Sequence, residues 1–213
     1  MSCVLELEKL IVSLGFNTEI LEEQPSIVRQ NGGGLRIWQY PNQFARYLFF
    51  LQNLKITSYL EIGCRWGGTF ILTTEYLQRF EPLQSSVAVD LIDSLATKQY
   101  CVSNPIASFE QFDSKSAAFR NWIQDKQFDL IFIDGDHSYE GVKGDYESCK
   151  GRGRVFVFHD IVNANCPGVC KFWQELKQQP NMRFLEFVDQ YEEVWQRTQK
   201  KFLGIGVAIP LSP

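Results

Sequence analysis

The sequence predicts a doubly wound α/β domain, with a mostly parallel sheet, helices on both faces and an antiparallel strand pair at its C-terminal end. Three observations predict it. Short, nearly continuous apolar runs recur at residues 58–62, 86–90, 128–133 and 155–158, as strands do when helices cover both of their faces. Stretches of helical length separate them at 70–80, 114–125 and 139–149, and strand–helix alternation is the signature of a parallel sheet. The last two strand-like runs, 183–188 and 202–209, are joined by a polar stretch, 189–201. That stretch is too short for a full crossover helix with its loops, so the pair is expected to be antiparallel.

Taken in order, the first fourteen residues set Val4, Leu5, Leu7, Leu10, Ile11 and Leu14 at helical spacing, and Gly15 can end that helix. Residues 25–34 read as a loop whose most pliant point is Gly32-Gly33-Gly34. A second helix follows Pro41, with Phe44, Tyr47, Leu48 and Leu51 on one face. The pieces before residue 36 read as an N-terminal helical cap over residues 1–35, with the main domain at 36–213. The cap helices either cover an edge of the core or pair two chains into a homo-oligomer. A weaker strand at 106–111 fits between the second and third strong ones.

Composition narrows the function classes. With 213 residues, 45% hydrophobic and 22% charged, the chain buries a real core as one domain. Twenty-one basic against 25 acidic side chains give a net charge of -4, which leaves no basic excess for a general nucleic-acid binder. The six cysteines include no CxxC pair, and Cys166 and Cys170 are poorly spaced for zinc. They read as reduced thiols of a cytoplasmic protein. No secretory leader and no run of about 20 apolar residues is evident, so no membrane partner is expected.

In an open α/β sheet, ligands bind beyond the carboxyl ends of the strands. There the first strand runs into Glu61-Ile62-Gly63-Cys64-Arg65-Trp66-Gly67-Gly68-Thr69, and the next strand ends in Asp90, placed for a ribose diol. A dinucleotide needs a glycine where Arg65 stands, and Glu61 adds negative charge where a diphosphate would sit. S-adenosylmethionine brings an ammonium, a carboxylate and a sulfonium with no phosphate, and the turn favours it. The plainer account is a glycine cluster that serves strand–helix packing.

The other strand ends gather acids and histidines. One strand enters Asp134-Gly135-Asp136-His137, and another enters His159-Asp160 with Asn163 beyond. Both histidines of the chain fall at this edge, which points to a site. Oxygen-rich ligands with one imidazole suit Mg²⁺, Mn²⁺ or Ca²⁺ better than zinc, and clustered carboxylates call for a compensating cation. As simple helix caps, Asp136 and Asp160 would each serve an N-terminus.

Residues 60–69, Asp90, the block Ile133-Asp134-Gly135-Asp136-His137-Ser138-Tyr139-Glu140-Gly141-Val142, and Phe158-His159-Asp160 with Pro167-Gly168-Val169 together resemble class I S-adenosylmethionine-dependent methyltransferases of Rossmann-like fold. Within that class the chain resembles the small-molecule O-methyltransferases grouped with macrocin O-methyltransferase and cephalosporin hydroxylase-type proteins. The likeness spans about residues 36–210, since Ile37-Trp38-Gln39 and Pro41 match a segment upstream of the first strand. The resemblance implies that Glu61, Gly63 and Gly67 hold the methionine part of S-adenosyl-L-methionine, Asp90 its ribose, and Asp113 with Ser114 the edge of its adenine. It further implies that Asp134 and Asp160 bind a divalent cation such as Mg²⁺ and that His137 is the general base. His159 stands where metal-dependent relatives carry an acid, and it is a third candidate ligand.

The expected function is therefore O-methylation of a small-molecule hydroxyl, on a sugar or natural product. Trp38, Tyr40, Trp66, Tyr139 and Trp173 are candidates to line an apolar or sugar-stacking acceptor pocket. Two other classes stay open. A metal-dependent hydrolase would use the same acids and histidines on water, but leaves the turn and Asp90 unexplained. A nucleoside-binding module without chemistry would take the cofactor and never consume its methyl group.

Overall fold

The computed structural model describes residues 2–19 and 23–211. In chain order the elements are α1 (Ser2–Leu14), α2 (Ser26–Gln30), α3 (Pro41–Leu51), β1 (Ser58–Ile62), α4 (Gly68–Leu77), β2 (Ser85–Asp90), α5 (Leu95–Ser103) and β3 (Ala107–Gln111). They continue with α6 (Ala117–Ile123), β4 (Phe128–Ile133), α7 (Tyr139–Cys149), β5 (Gly153–Phe158), α8 (Pro167–Leu176), β6 (Met182–Phe187), α9 (Glu192–Thr198) and β7 (Ile205–Pro210).

The strands form one sheet in the order β3-β2-β1-β4-β5-β7-β6. Strands β1 to β5 pair in parallel, and β7 runs antiparallel to both β5 and β6. The expected antiparallel ending is present. The connection thought too short for a full crossover helix holds a helix of only seven residues, α9. Residues 25–34 are not loop throughout, because the one-turn α2 buries Val28 within them.

The continuous apolar runs are explained by a core on each side of the sheet. Tyr59, Leu130, Phe132, Val155 and Val157 face one, together with Phe44 and Tyr47 of α3 and Phe70 of α4. Leu60, Ile62, Ile131, Ile133, Phe156 and Phe158 face the other, with Phe119 of α6, Tyr146 of α7 and Trp173 of α8. Each such fully buried side chain contributes about 1.5–3 kcal/mol of transfer free energy, so a strand sheltered on both faces has no use for a polar stripe. Helix α1 packs on α3. Its stripe is narrower than the sequence suggested, with Leu7 and Ile11 buried while Leu5 and Leu10 stay half exposed.

Strand β1 lies between β2 and β4, so the chain moves outward one way and then the other from this pair. Their carboxyl ends therefore flank the crevice that a doubly wound sheet opens to ligands. Among the described residues, no helix is long and apolar enough to cross a membrane.

Candidate active site

The turn after β1 is fixed by glycines that no other residue can replace. Gly63 has φ +88°, and a Cβ there would lie 2.2 Å from the carbonyl oxygen of Asp134. The turns after β1 and β4 are thus in contact, and only a residue without a side chain lets them meet. Gly67, at φ +81°, closes the turn as N-cap of α4, and its N–H donates to the Cys64 carbonyl at 2.7 Å. Arg65 itself is left-handed, at φ +43°. Its N–H donates to Asp90 Oδ2 at 2.6 Å, and the Ile92 N–H donates to Asp90 Oδ1 at 2.8 Å. The carboxylate ties two loops together and keeps a lone pair on each oxygen for a further donor.

Glu61 is 1% exposed and accepts the Tyr59 hydroxyl. Burial pushes its carboxyl well above the usual range; the Tyr59 hydrogen bond pulls it back, and the charges of Asp134 and Asp90 push it further up. Ionising it therefore costs more than it would in water, and an approaching cation lowers that cost.

Beyond β4 and β5 lies the second half of the site. Asp134 Oδ1 is 2.8 Å from His159 Nδ1 and 3.2 Å from His137 Nε2. Asp160 Oδ2 is 3.4 Å from His159 Nδ1 and 3.6 Å from His137 Nδ1, while Asp160 Oδ1 accepts Asn163 Nδ2 at 2.8 Å. One ligand atom from each of Asp134, His137, His159 and Asp160 lies within 4.8 Å of all the others. Against the cost of burial, the two imidazoles hold the Asp134 carboxyl down at about 2. Hydrogen bonds to Asp134 and Cys166, and the charges of Asp134 and Asp160, raise His137 to about 11. Burial opposes a charge on His159, but the Asp134 and Asp160 charges outweigh it and raise its pKa. In this arrangement the His137 imidazolium does part of what a divalent cation would do for the two carboxylates. His137 is then a proton donor, and serves as a base only after another cation neutralises the acids.

The donor set fits a divalent cation, with one difference from the expectation. It contains two imidazoles where one was anticipated, and mixed nitrogen and oxygen ligands suit Mn²⁺, Fe²⁺ or Zn²⁺ as well as Mg²⁺. His159 Nε2 is buried without a hydrogen-bond partner.

Both halves open on one cavity of about 610 Å³, within the ~300–1,000 Å³ typical of small-molecule sites. Glu61, Gly63, Asp90, Asp113, Ser114, Asp134, His137, His159 and Asp160 all line it. Gly67 is not on the wall; it acts by shaping the turn. The wall carries seven acidic side chains against Arg36, Arg65, Lys115 and the His137 imidazolium, a poor bed for a diphosphate and a good one for an ammonium and a sulfonium. Of the five aromatics expected around the acceptor, only Trp38 and Trp66 reach the cavity. Tyr40 and Trp173 are fully buried in the core, and Tyr139 packs its ring against Phe172 and bonds Glu175.

Sequence reasoning did not single out Arg36, and named Thr69 only as the end of the turn and Cys166 only as a poorly spaced zinc ligand; all three line the cavity. Cys166 Sγ lies 3.2 Å from Asp160 Oδ2 and 3.4 Å from His137 Nδ1. Its signal was in view as the residue before Pro167, the N-cap position of α8.

The family model described as a methyltransferase domain matches residues 60–161. The match runs from β1 to just beyond β5 and marks a methyltransferase domain there, and the seven-stranded sheet has the Rossmann-like methyltransferase fold. Solved structures share the fold at low identity. The O-methyltransferase TomG from Streptomyces achromogenes, described in complex with S-adenosylmethionine, is 12% identical, with a TM-score of 0.62 over 92% of this chain and 94% of its own. An O-methyltransferase from Bacillus cereus, described in complex with S-adenosylhomocysteine, is 15% identical, with a TM-score of 0.59 over 99% and 91%. A putative RNA methyltransferase from Pyrococcus horikoshii is 9% identical, with a TM-score of 0.61 over 100% of both chains. No curated protein matches the chain in sequence.

Proposed function

We propose that this protein methylates a hydroxyl of a small molecule, a sugar or natural product, assisted by a divalent cation and by His137 as base. The observation that carries the reading is the convergence on one cavity of a nucleoside half (Glu61, Gly63, Asp90, Asp113, Ser114) and an acid–histidine half (Asp134, His137, His159, Asp160). A hydrolase would have use for the second half alone. A nucleic-acid acceptor fits poorly with a net charge of -4 and an acidic cavity wall.

Glu61 and the Gly63 turn would take the ammonium end of the cofactor, Asp90 the ribose diol, and Asp113 with Ser114 the adenine edge. S-adenosylmethionine supplies a methyl group on a sulfonium that is already a good leaving group. What is left to the protein is to hold the acceptor oxygen in line at roughly 3 Å and to remove its proton. Asp134, His159 and Asp160 would hold the cation, whose Lewis acidity lowers the pKa of a bound hydroxyl. With those carboxylates neutralised His137 loses the charges that keep it protonated, and its ring accepts the proton of the acceptor as the new C–O bond forms.

Residues 1–35 would serve as a cap, since Glu23 reaches the cavity wall. The six cysteines, all free, suit the reducing cytoplasm.

The test is transfer of labelled methyl from S-adenosylmethionine to a panel of hydroxylated acceptors, with His137→Ala alongside. Turnover should fall by about 10²–10⁴-fold while cofactor affinity holds, as for loss of a general base. Unchanged turnover removes His137 from the chemistry.

A further inference from the structure

The cofactor reading leaves one charge without a receptor. The acidic wall suits an ammonium and a sulfonium but repels the α-carboxylate at the same end of the molecule. Of the cations on the wall, the His137 imidazolium faces Asp134 and Asp160, Lys115 is paired with Asp136 at 2.9 Å and Arg65 with Glu19 at 2.7 Å. Arg36 forms no ion pair among the described residues; its guanidinium lies 4.9 Å from the centre of the Trp66 ring, which positions it without neutralising it.

Its place in the fold is equally specific. A Cβ on Gly68 would lie 2.3 Å from the Leu35 carbonyl oxygen and 3.1 Å from the Arg36 carbonyl carbon. The strap of residues 35–37 therefore crosses directly over the first residue of α4. The strap is pinned by the Ile37 N–H on Gly15 O at 3.1 Å and the Asn17 N–H on Ile37 O at 2.9 Å, and Arg36 is held left-handed at φ +54°. Helix α4 has no side-chain cap at its N-terminus. Thr69, in that first turn and 8% exposed, lines the cavity with a hydroxyl outside any hydrogen bond among the described residues. A carboxylate here meets a helix N-terminus, a free hydroxyl and a guanidinium fork together.

We propose that Arg36 receives the α-carboxylate of the cofactor's methionine end. This rests on the reading that the cavity binds S-adenosylmethionine, and the test separates the two. Calorimetry on the full chain would compare S-adenosylhomocysteine with 5′-methylthioadenosine, which keeps the nucleoside and lacks the amino-acid end. Arg36→Met should weaken S-adenosylhomocysteine by about 10- to 100-fold, the worth of a hydrogen bond to a charged group, and leave methylthioadenosine within about twofold. Arg36→Lys should recover part of the loss, since it keeps the charge without the fork. Unaltered affinity for S-adenosylhomocysteine in Arg36→Met overturns the proposal. An equal loss for both ligands also overturns it, because Arg36 would then prop up the pocket and bind nothing itself. If the wild-type protein takes up neither nucleoside, the cofactor reading itself falls.

Discussion

Asp145 should destabilise the protein in a pH-dependent way, and replacing it with asparagine should show how much. The residue sits on α7, fully buried, and a Cβ on Gly135 would lie 3.0 Å from its Oδ2. Burial, ahead of any neighbouring charge, pushes its carboxyl from 3.8 up to about 6. The sign follows from linkage. Below pH 3.8 the group is protonated in both folded and unfolded chains and costs nothing; the cost grows as pH rises toward 6, and is constant above it. Above pH 6 the penalty reaches about 3 kcal/mol, and at pH 5 it is about half of that. Asp145→Asn removes the charge and keeps the shape. Urea unfolding should therefore show it more stable by about 3 kcal/mol at pH 8 and by about half as much at pH 5, with an unchanged m-value. A gain equal at both pH values, or a loss, would refute the argument from desolvation.

Gly63→Ala should cost at least about 3 kcal/mol of unfolding free energy, because a left-handed residue must also push its Cβ into the β4 turn; a melting temperature within about 2 °C of wild type would contradict this. Glu61, whose pKa burial raises, should give up its proton more readily when an ammonium arrives. Uptake of S-adenosylhomocysteine at pH 7 should then release up to about one proton, read from calorimetry in two buffers and abolished in Glu61→Gln. A divalent cation at Asp134 and Asp160 must displace the imidazolium proton of His137. Its affinity should rise between pH 6 and pH 8 and vanish in the Asp134→Asn, Asp160→Asn double variant; affinity independent of pH would argue that the cation sits elsewhere.

The strands were legible because an apolar run buried on both faces leaves an unbroken mark. Helix α5 was not, since Leu95 and Val102 point outward and only Thr97 is buried. Its inner face, Thr97 with the half-buried Tyr100 and Cys101, is too short and mixed to leave a clear periodicity, although its Ser94 cap was present. Helix α8 could have been read from Pro167 at its first turn and from Val169, Phe172, Trp173 and Leu176 on its buried face. The one-turn α2 is too short for any pattern.

The site divides in the same way. The strand-end rule placed Glu61, Asp90, Asp134 and Asp160 around one crevice, because strand polarity alone decides where those residues emerge. It could not show that His137 would turn both ring nitrogens toward carboxylates, since that depends on how the β4 and β5 loops pack. Arg36 reaches the cavity from a distant strap, and no local pattern records such a crossing.

The most direct measurement is a structure of the protein with S-adenosylhomocysteine. The nucleoside should span the tips of β1, β2 and β4, from the Gly63 turn to Asp113 and Ser114, with both ribose hydroxyls on the Asp90 carboxylate. A nucleoside bound anywhere else, or none bound at millimolar ligand, would contradict the account.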